Sequence, residues 1–328
     1  MKYKYTELPQ FIPMEIYEDE ITKMVKTLIS SDKVISVFQV GGISNPGISD
    51  IDFYVIFKND VNYLQNPVQQ LSYPGNNLFT HRLFGTSLNY ATQLEQFTFF
   101  NKYNLLAGEK INMTDYELSA ADRKLLEHQI ALEYLIKAWV IVSLSKTFKI
   151  VKLRNLMLYA KAILYDIEFL GISDLKFLEV VNEILDIRKK WFSEKISLHR
   201  LDSIIDEYHD GLYRCITDAI SKFNFYISPA SNTLISKRVK IEKSEKIQIN
   251  RNGFLIPASL ANSSSKIMKL QNKINHFTVN LPVTESGIPD IISRRQQTIN
   301  EAIVYNNKNL PGFLCTAYGM NIFEVIQK

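Results

Sequence analysis

"VFQVGGISNPGISDIDFYVIF", Val37 to Phe57, decides how this chain is read. An apolar run, Val34–Val40, ends in Gly41-Gly42. A polar loop with Asn45, Pro46 and Gly47 follows, and a second apolar run spans Ile51–Phe57. Runs rich in β-branched and aromatic residues, bounded by turn residues, read as strands. In a strand alternate side chains share a face. Asp50 and Asp52 therefore project together, while Ile51, Phe53, Val55 and Phe57 project the other way into a core.

Two carboxylates on one face repel, and each raises the pKa of the other. A divalent cation removes the conflict. Magnesium, or manganese in its place, takes oxygen ligands, keeps several waters and shares itself with substrate phosphates. The preceding loop suits that use. Gly41 and Gly42 let a phosphate approach the backbone, and backbone N–H groups with hydroxyls make anion sites. The metal and catalytic candidates are Asp50 and Asp52. The nucleotide-binding candidates are Gly41, Gly42, Ser44 and Ser49.

The sequence carries its own control. "GISD" occurs at Gly47–Asp50 and again at Gly171–Asp174. At the second place it reads as a helix stop followed by a helix cap, with no chemistry required. What separates the first copy is Gly41-Gly42 upstream and Asp52 inside the strand.

A hydrophobic strand, a Gly-Gly pair, a short loop and Asp-x-Asp in a second strand resemble the signature of the DNA polymerase β-like nucleotidyltransferase superfamily. The resemblance covers Val34–Phe57. It extends through "NKYNLLAGEKI", Asn101–Ile111, which resembles the end of the catalytic domain in aminoglycoside-nucleotidyltransferase-like members, where a helical bundle follows. It implies that Gly41 and Gly42 hold a nucleoside triphosphate, with ATP the expected donor, and that Asp50 and Asp52 bind magnesium. It also implies transfer of a nucleoside monophosphate to an acceptor hydroxyl or phosphate. The sequence departs from the family in two ways. The loop between Gly42 and Asp50 is short. The stretch expected to supply a third carboxylate, Leu78–Tyr90, contains no Asp or Glu; Glu95 follows it as a stand-in, and Glu109 is a poorer one. A fold kept for sensing a nucleotide or holding a partner is the alternative, and an RNA-directed transferase a further one.

Around this motif the expected fold is α+β, in three regions. Residues 1–116 form a catalytic domain with a mixed sheet and flanking helices, including an amphipathic helix at Glu15–Ser30. Residues 117–226 form an antiparallel bundle of four helices, the first opened by Ser119 and Asp122 and the third capped by Asp174. Residues 227–328 form a small β-rich region. There Asn252-Gly253, between two alternating runs, is a strong hairpin signal.

Composition agrees with a folded chain. The 328 residues are 46% hydrophobic and 22% charged, with a net charge of +4. From Ile227 onward 13 Lys and Arg face 6 Asp and Glu. That basic excess could meet a polyanion, but it is modest, so a small-molecule or protein acceptor is favoured over nucleic acid. Cys215 and Cys315 form no metal-spacing cluster, which together with the absence of a secretory signal fits a reduced, cytoplasmic setting. No apolar run is long enough for a bilayer.

Overall fold

Val34–Val40 (β2) and Asp52–Phe57 (β3) pair antiparallel, with Val40 opposite Asp52. They form the middle of a four-stranded sheet of order β4-β3-β2-β5, where β4 is Phe84–Ser87 and β5 is Tyr103–Gly108. β5 runs antiparallel to β2, and β4 runs parallel to β3. The alternation expected for the second strand holds. Ile51, Phe53, Val55 and Phe57 join one apolar cluster with Tyr17, Met24 and Leu28 of helix α1 (Met14–Ile29). Tyr54 and Ile56 join another on the opposite face, with Phe38, Val40, Phe84 and Ala91.

This is a computed structural model, and it describes residues 2–97, 103–112, 118–227, 233–236, 238–257, 264–315 and 324–325. It is a mixed α+β chain, as expected, and it divides into two compact units. One comprises residues 10–123 and 289–321; the other comprises residues 1–9, 124–288 and 322–328. Among the described residues no helix is long and apolar enough to cross a membrane.

In the first unit the third strand is shorter than the stretch expected to hold it. A parallel partner cannot be reached by a tight turn. The chain therefore crosses over through residues 58–83, with a 3-10 turn at Pro67–Gln70 and a helical turn, α2, at Gly75–Leu78. Only Phe84–Ser87 then pairs, and α3 (Leu88–Glu95) begins at once. A long helix, Asp290–Asn309, also belongs to this unit, where the sequence pattern suggests part of a β-rich C-terminal region. Its Asn306 is buried against β4, accepting from the Thr86 hydroxyl at 2.8 Å and donating to the Gly85 carbonyl at 2.8 Å. Beyond the helix, Leu310 and Phe313 enter the core, and Leu314 exchanges backbone hydrogen bonds with Leu83 and Gly85. The outer side of β4 is thus lined by residues more than two hundred positions away.

The second unit holds four successive helices, α4 (Ala120–Phe148), α5 (Leu153–Leu170), α6 (Leu175–Lys190) and α7 (Leu198–Lys222). Their boundaries follow the sequence signals. The Ser119 hydroxyl accepts the Asp122 N–H at 3.0 Å, Gly171 ends α5 with φ +59, and Asp174 accepts the Phe177 N–H at 3.0 Å. A Cβ on Gly211 of α7 would lie 2.3 Å from the Phe177 ring, so glycine is what lets α6 and α7 approach. Lys4–Thr6 (β1) pairs in parallel with Ile150–Lys152 (β6).

The rest of this unit is a five-stranded sheet of order β11-β7-β8-β10-β9. Its strands are Thr233–Ser236 (β7), Val239–Lys243 (β8), Gln248–Asn252 (β9), His276–Leu281 (β10) and Glu324–Val325 (β11). Among the described residues, the expected hairpin at Asn252-Gly253 does not form. β9 ends there, helix α8 (Ser265–Ile274) intervenes, and β9 pairs with β10 instead. Gly253 is needed for a different reason. Its φ is +126, and a Cβ there would lie 2.4 Å from the Ile274 carbonyl oxygen. The helix Asp290–Asn309 that follows is α9.

The Asn306 clamp makes a test of how α9 supports the sheet. Replacing Asn306 by Ala strands a buried carbonyl and a buried hydroxyl, and is expected to cost about 2–4 kcal/mol in urea unfolding. A loss below about 0.5 kcal/mol, typical of an ordinary surface change, would show that the clamp contributes nothing.

Candidate functional site

The register Val40 opposite Asp52 fixes the site. β2 leaves the sheet through Gly41-Gly42 at the same end where the chain returns through Asp50 and Asp52. The loop between them is held from inside. The Tyr17 hydroxyl, fully buried on α1, accepts the Gly47 N–H at 2.8 Å and donates to the Ser49 carbonyl at 2.7 Å. The Ser49 N–H donates to the Asn45 carbonyl at 2.8 Å, and the Asn45 N–H donates to the Ser49 hydroxyl at 3.1 Å.

These contacts separate the candidate residues. Ser49 is buried, and its hydroxyl serves the loop itself. Gly41, Gly42 and Ser44 are exposed. Gly41 has φ +69, a conformation that favours glycine. Gly42 has no positive φ, and a Cβ added to it meets nothing within 4 Å. The fold makes no demand for glycine at position 42.

Residues 78–82 run alongside the aspartates. The Leu78 carbonyl accepts the Ile51 N–H at 3.0 Å, and the Thr80 hydroxyl donates to Asp50 Oδ2 at 3.0 Å. His81 Nε2 lies 3.0 Å from Asp52 Oδ1. The other ring nitrogen, Nδ1, lies 2.7 Å from the Arg82 carbonyl oxygen. A carbonyl only accepts, so Nδ1 carries a proton. The ring packs on Phe84 with centroids 4.7 Å apart, and Arg82 Nη1 donates to the Pro311 carbonyl at 3.0 Å. Thus β3, the crossover and the chain after α9 all fix the position of one imidazole.

Asp50, Asp52 and His81 each offer a ligand atom, and the three atoms lie within 4.8 Å of one another. The charges are strained in the way such a group should be. Burial, followed by the neighbouring Asp52 charge, raises the pKa of Asp50. Burial lowers that of His81, but the Asp52 carboxylate outweighs it, and the net shift is upward. Asp52 Oδ1 is itself buried, and its 3.0 Å contact with His81 Nε2 is an ion pair rather than a well-aligned hydrogen bond. Leaving a buried carboxylate oxygen without an aligned donor is costly. A cation among these three atoms supplies what that oxygen lacks, so the residues present fit a divalent metal.

The two other acids take other places. Glu95, at the end of α3, is buried and accepts the Tyr103 hydroxyl at 2.8 Å. Glu109 follows Gly108, which pairs with Ser36, and so lies at the far end of the sheet from Asp52. Among the described residues, the third member of the metal-capable group is His81. The sequence places His81 and Arg82 on the stretch expected to form the third strand, as a pair that could touch a nucleotide or its phosphates or simply lie on the surface. In the structure His81 precedes the strand, Phe84–Ser87. The missing signal is the parallel β3–β4 pairing, which brings the chain after Leu78 beside Ile51. No protein-family model matches this chain, and no curated protein matches it significantly.

Proposed function

We propose that the unit built from residues 10–123 and 289–321 is a metal-dependent nucleotidyltransferase. The observation that carries this reading is the pairing of an open glycine at position 42 with a carboxylate pair whose Asp52 Oδ1 is buried and lacks a well-aligned hydrogen bond, at one end of one sheet. Asp50 and Asp52, with His81, hold a divalent cation, which supplies charge neutralisation for a triphosphate. Gly41 and Gly42 let the β- and γ-phosphates lie against the backbone, and Ser44 lies exposed in the same loop. In the transfer an acceptor oxygen forms a bond to the α-phosphorus, the bond to the bridging oxygen breaks, and pyrophosphate leaves. ATP with magnesium or manganese is the starting pair for assays, and a small molecule or protein is the acceptor class. Because Tyr17 already holds the loop, the site is organised before ligand arrives, which reduces the entropy cost of binding.

A second reading keeps the nucleotide and drops the chemistry. It is supported by the imidazole in the place where the superfamily resemblance implies a third carboxylate. Calorimetry separates the two: tight nucleotide binding with no turnover on any acceptor favours a sensing or holding module.

Two outcomes are expected. Asp50→Asn combined with Asp52→Asn abolishes metal-dependent pyrophosphate release and leaves thermal unfolding unchanged or higher, since a repulsive pair is removed. Release at the parental rate would sink the assignment. Gly42→Ala shifts folding stability by no more than about 0.5 kcal/mol, as at an ordinary surface position, yet weakens triphosphate binding about tenfold or more by blocking close approach. Unchanged affinity in that variant would remove the phosphate loop from the proposal.

A further inference from the structure

The metal group contains one feature that the paired aspartates do not require. Its third atom is a nitrogen, and the surrounding structure prepares that nitrogen for a metal. Nδ1 of His81 is committed to the Arg82 carbonyl, so Nε2 is the ring position left to face Asp52. Ligating histidines are oriented in this way, by a hydrogen bond from the other ring nitrogen to a carbonyl or carboxylate. The orientation is reinforced twice, by Phe84 against the ring and by the Arg82–Pro311 hydrogen bond. Thr80 does the same for Asp50, donating to Oδ2.

Magnesium has little use for such a ligand. It prefers oxygen, demands near-ideal octahedral geometry and gives up water reluctantly. Imidazole favours first-row transition ions, and affinity for a mixed nitrogen and oxygen site rises along that series. Manganese accepts carboxylate and imidazole together and can leave positions for water and phosphate oxygens. An ion pair between a protonated His81 and Asp52 is the competing account of the same contact, but it leaves Oδ1 without an aligned donor.

We infer that His81 is a metal ligand and the residue that sets the metal of this site, selecting a divalent first-row transition ion, with Mn2+ as the probe, over Mg2+. The inference rests on the reading of Asp50 and Asp52 as metal ligands and adds the identity of the ion.

The test is direct binding by the full chain, without nucleotide or turnover. Mn2+ binding is followed by electron paramagnetic resonance, with Mg2+ as competitor, in the parent and in His81→Gln, His81→Asp and Asp52→Asn. The parent should bind Mn2+ about tenfold or more tightly than Mg2+, a preference that His81→Gln reduces and His81→Asp shifts toward Mg2+. Bound Mn2+ should show hyperfine coupling to an imidazole nitrogen, a signature that a merely structural histidine does not produce. Binding without nitrogen coupling, or with the same metal preference in His81→Gln, overturns the role of His81 and leaves the aspartate site intact. Binding that survives Asp52→Asn overturns the aspartate site itself. If the His81 variants fail to fold, the nitrogen coupling of the parent decides alone.

Discussion

Asp50 and Asp52 repel each other at the entry to β3, a strand both of whose faces are committed to apolar clusters. Neither can turn away. Ile51 and Phe53 alternate with them and are almost wholly buried, so rotating the strand would expose both. A one-residue slip has the same effect on every side chain of β3. The conflict is therefore fixed by hydrophobic packing, which is the larger energy. What remains variable is what surrounds the carboxylates, and there the structure supplies Thr80, His81 and the exposed glycines.

The same constraint explains how far the fold could be read in advance. β2, β3 and α1 are legible because each alternates or repeats against one apolar face. α9 is hidden because its buried side includes Arg295 and Asn306 among Ile291, Ile292, Ile299 and Ala302, which breaks the apolar period. Its place beside β4 depends on a clamp between residues 220 positions apart, which no local pattern announces. Asn252-Gly253 misleads for the opposite reason. The local signal is real, but glycine is required there by the close approach of the end of α8 and by a positive φ.

The site divides along the same line. Gly41, Gly42, Asp50 and Asp52 lie within one short segment, so their association is visible as soon as the strands are recognised. Ser49 lies in that segment too, yet its hydroxyl is spent on Asn45, because a short loop must satisfy its own backbone. His81 arrives from a different part of the chain, and only the parallel pairing of β3 with β4 makes it a neighbour.

On the proposed reading, an imidazole where the resemblance implies a carboxylate changes more than one ligand. Three carboxylates around one site need strong compensation, and a single cation leaves residual negative charge that attracts a second. Two carboxylates and a neutral imidazole balance one divalent ion. On that reading, cation and glycine loop would form a pole for the phosphates, without a surplus of negative charge to repel the triphosphate. The cost falls on acceptor activation, because no carboxylate stands third in the group among the described residues to take a proton. An acceptor that is already ionised, such as a phosphate or carboxylate oxygen, needs no such base. If the proposed transfer takes place, the charge balance of the site would favour that class over an ordinary alcohol.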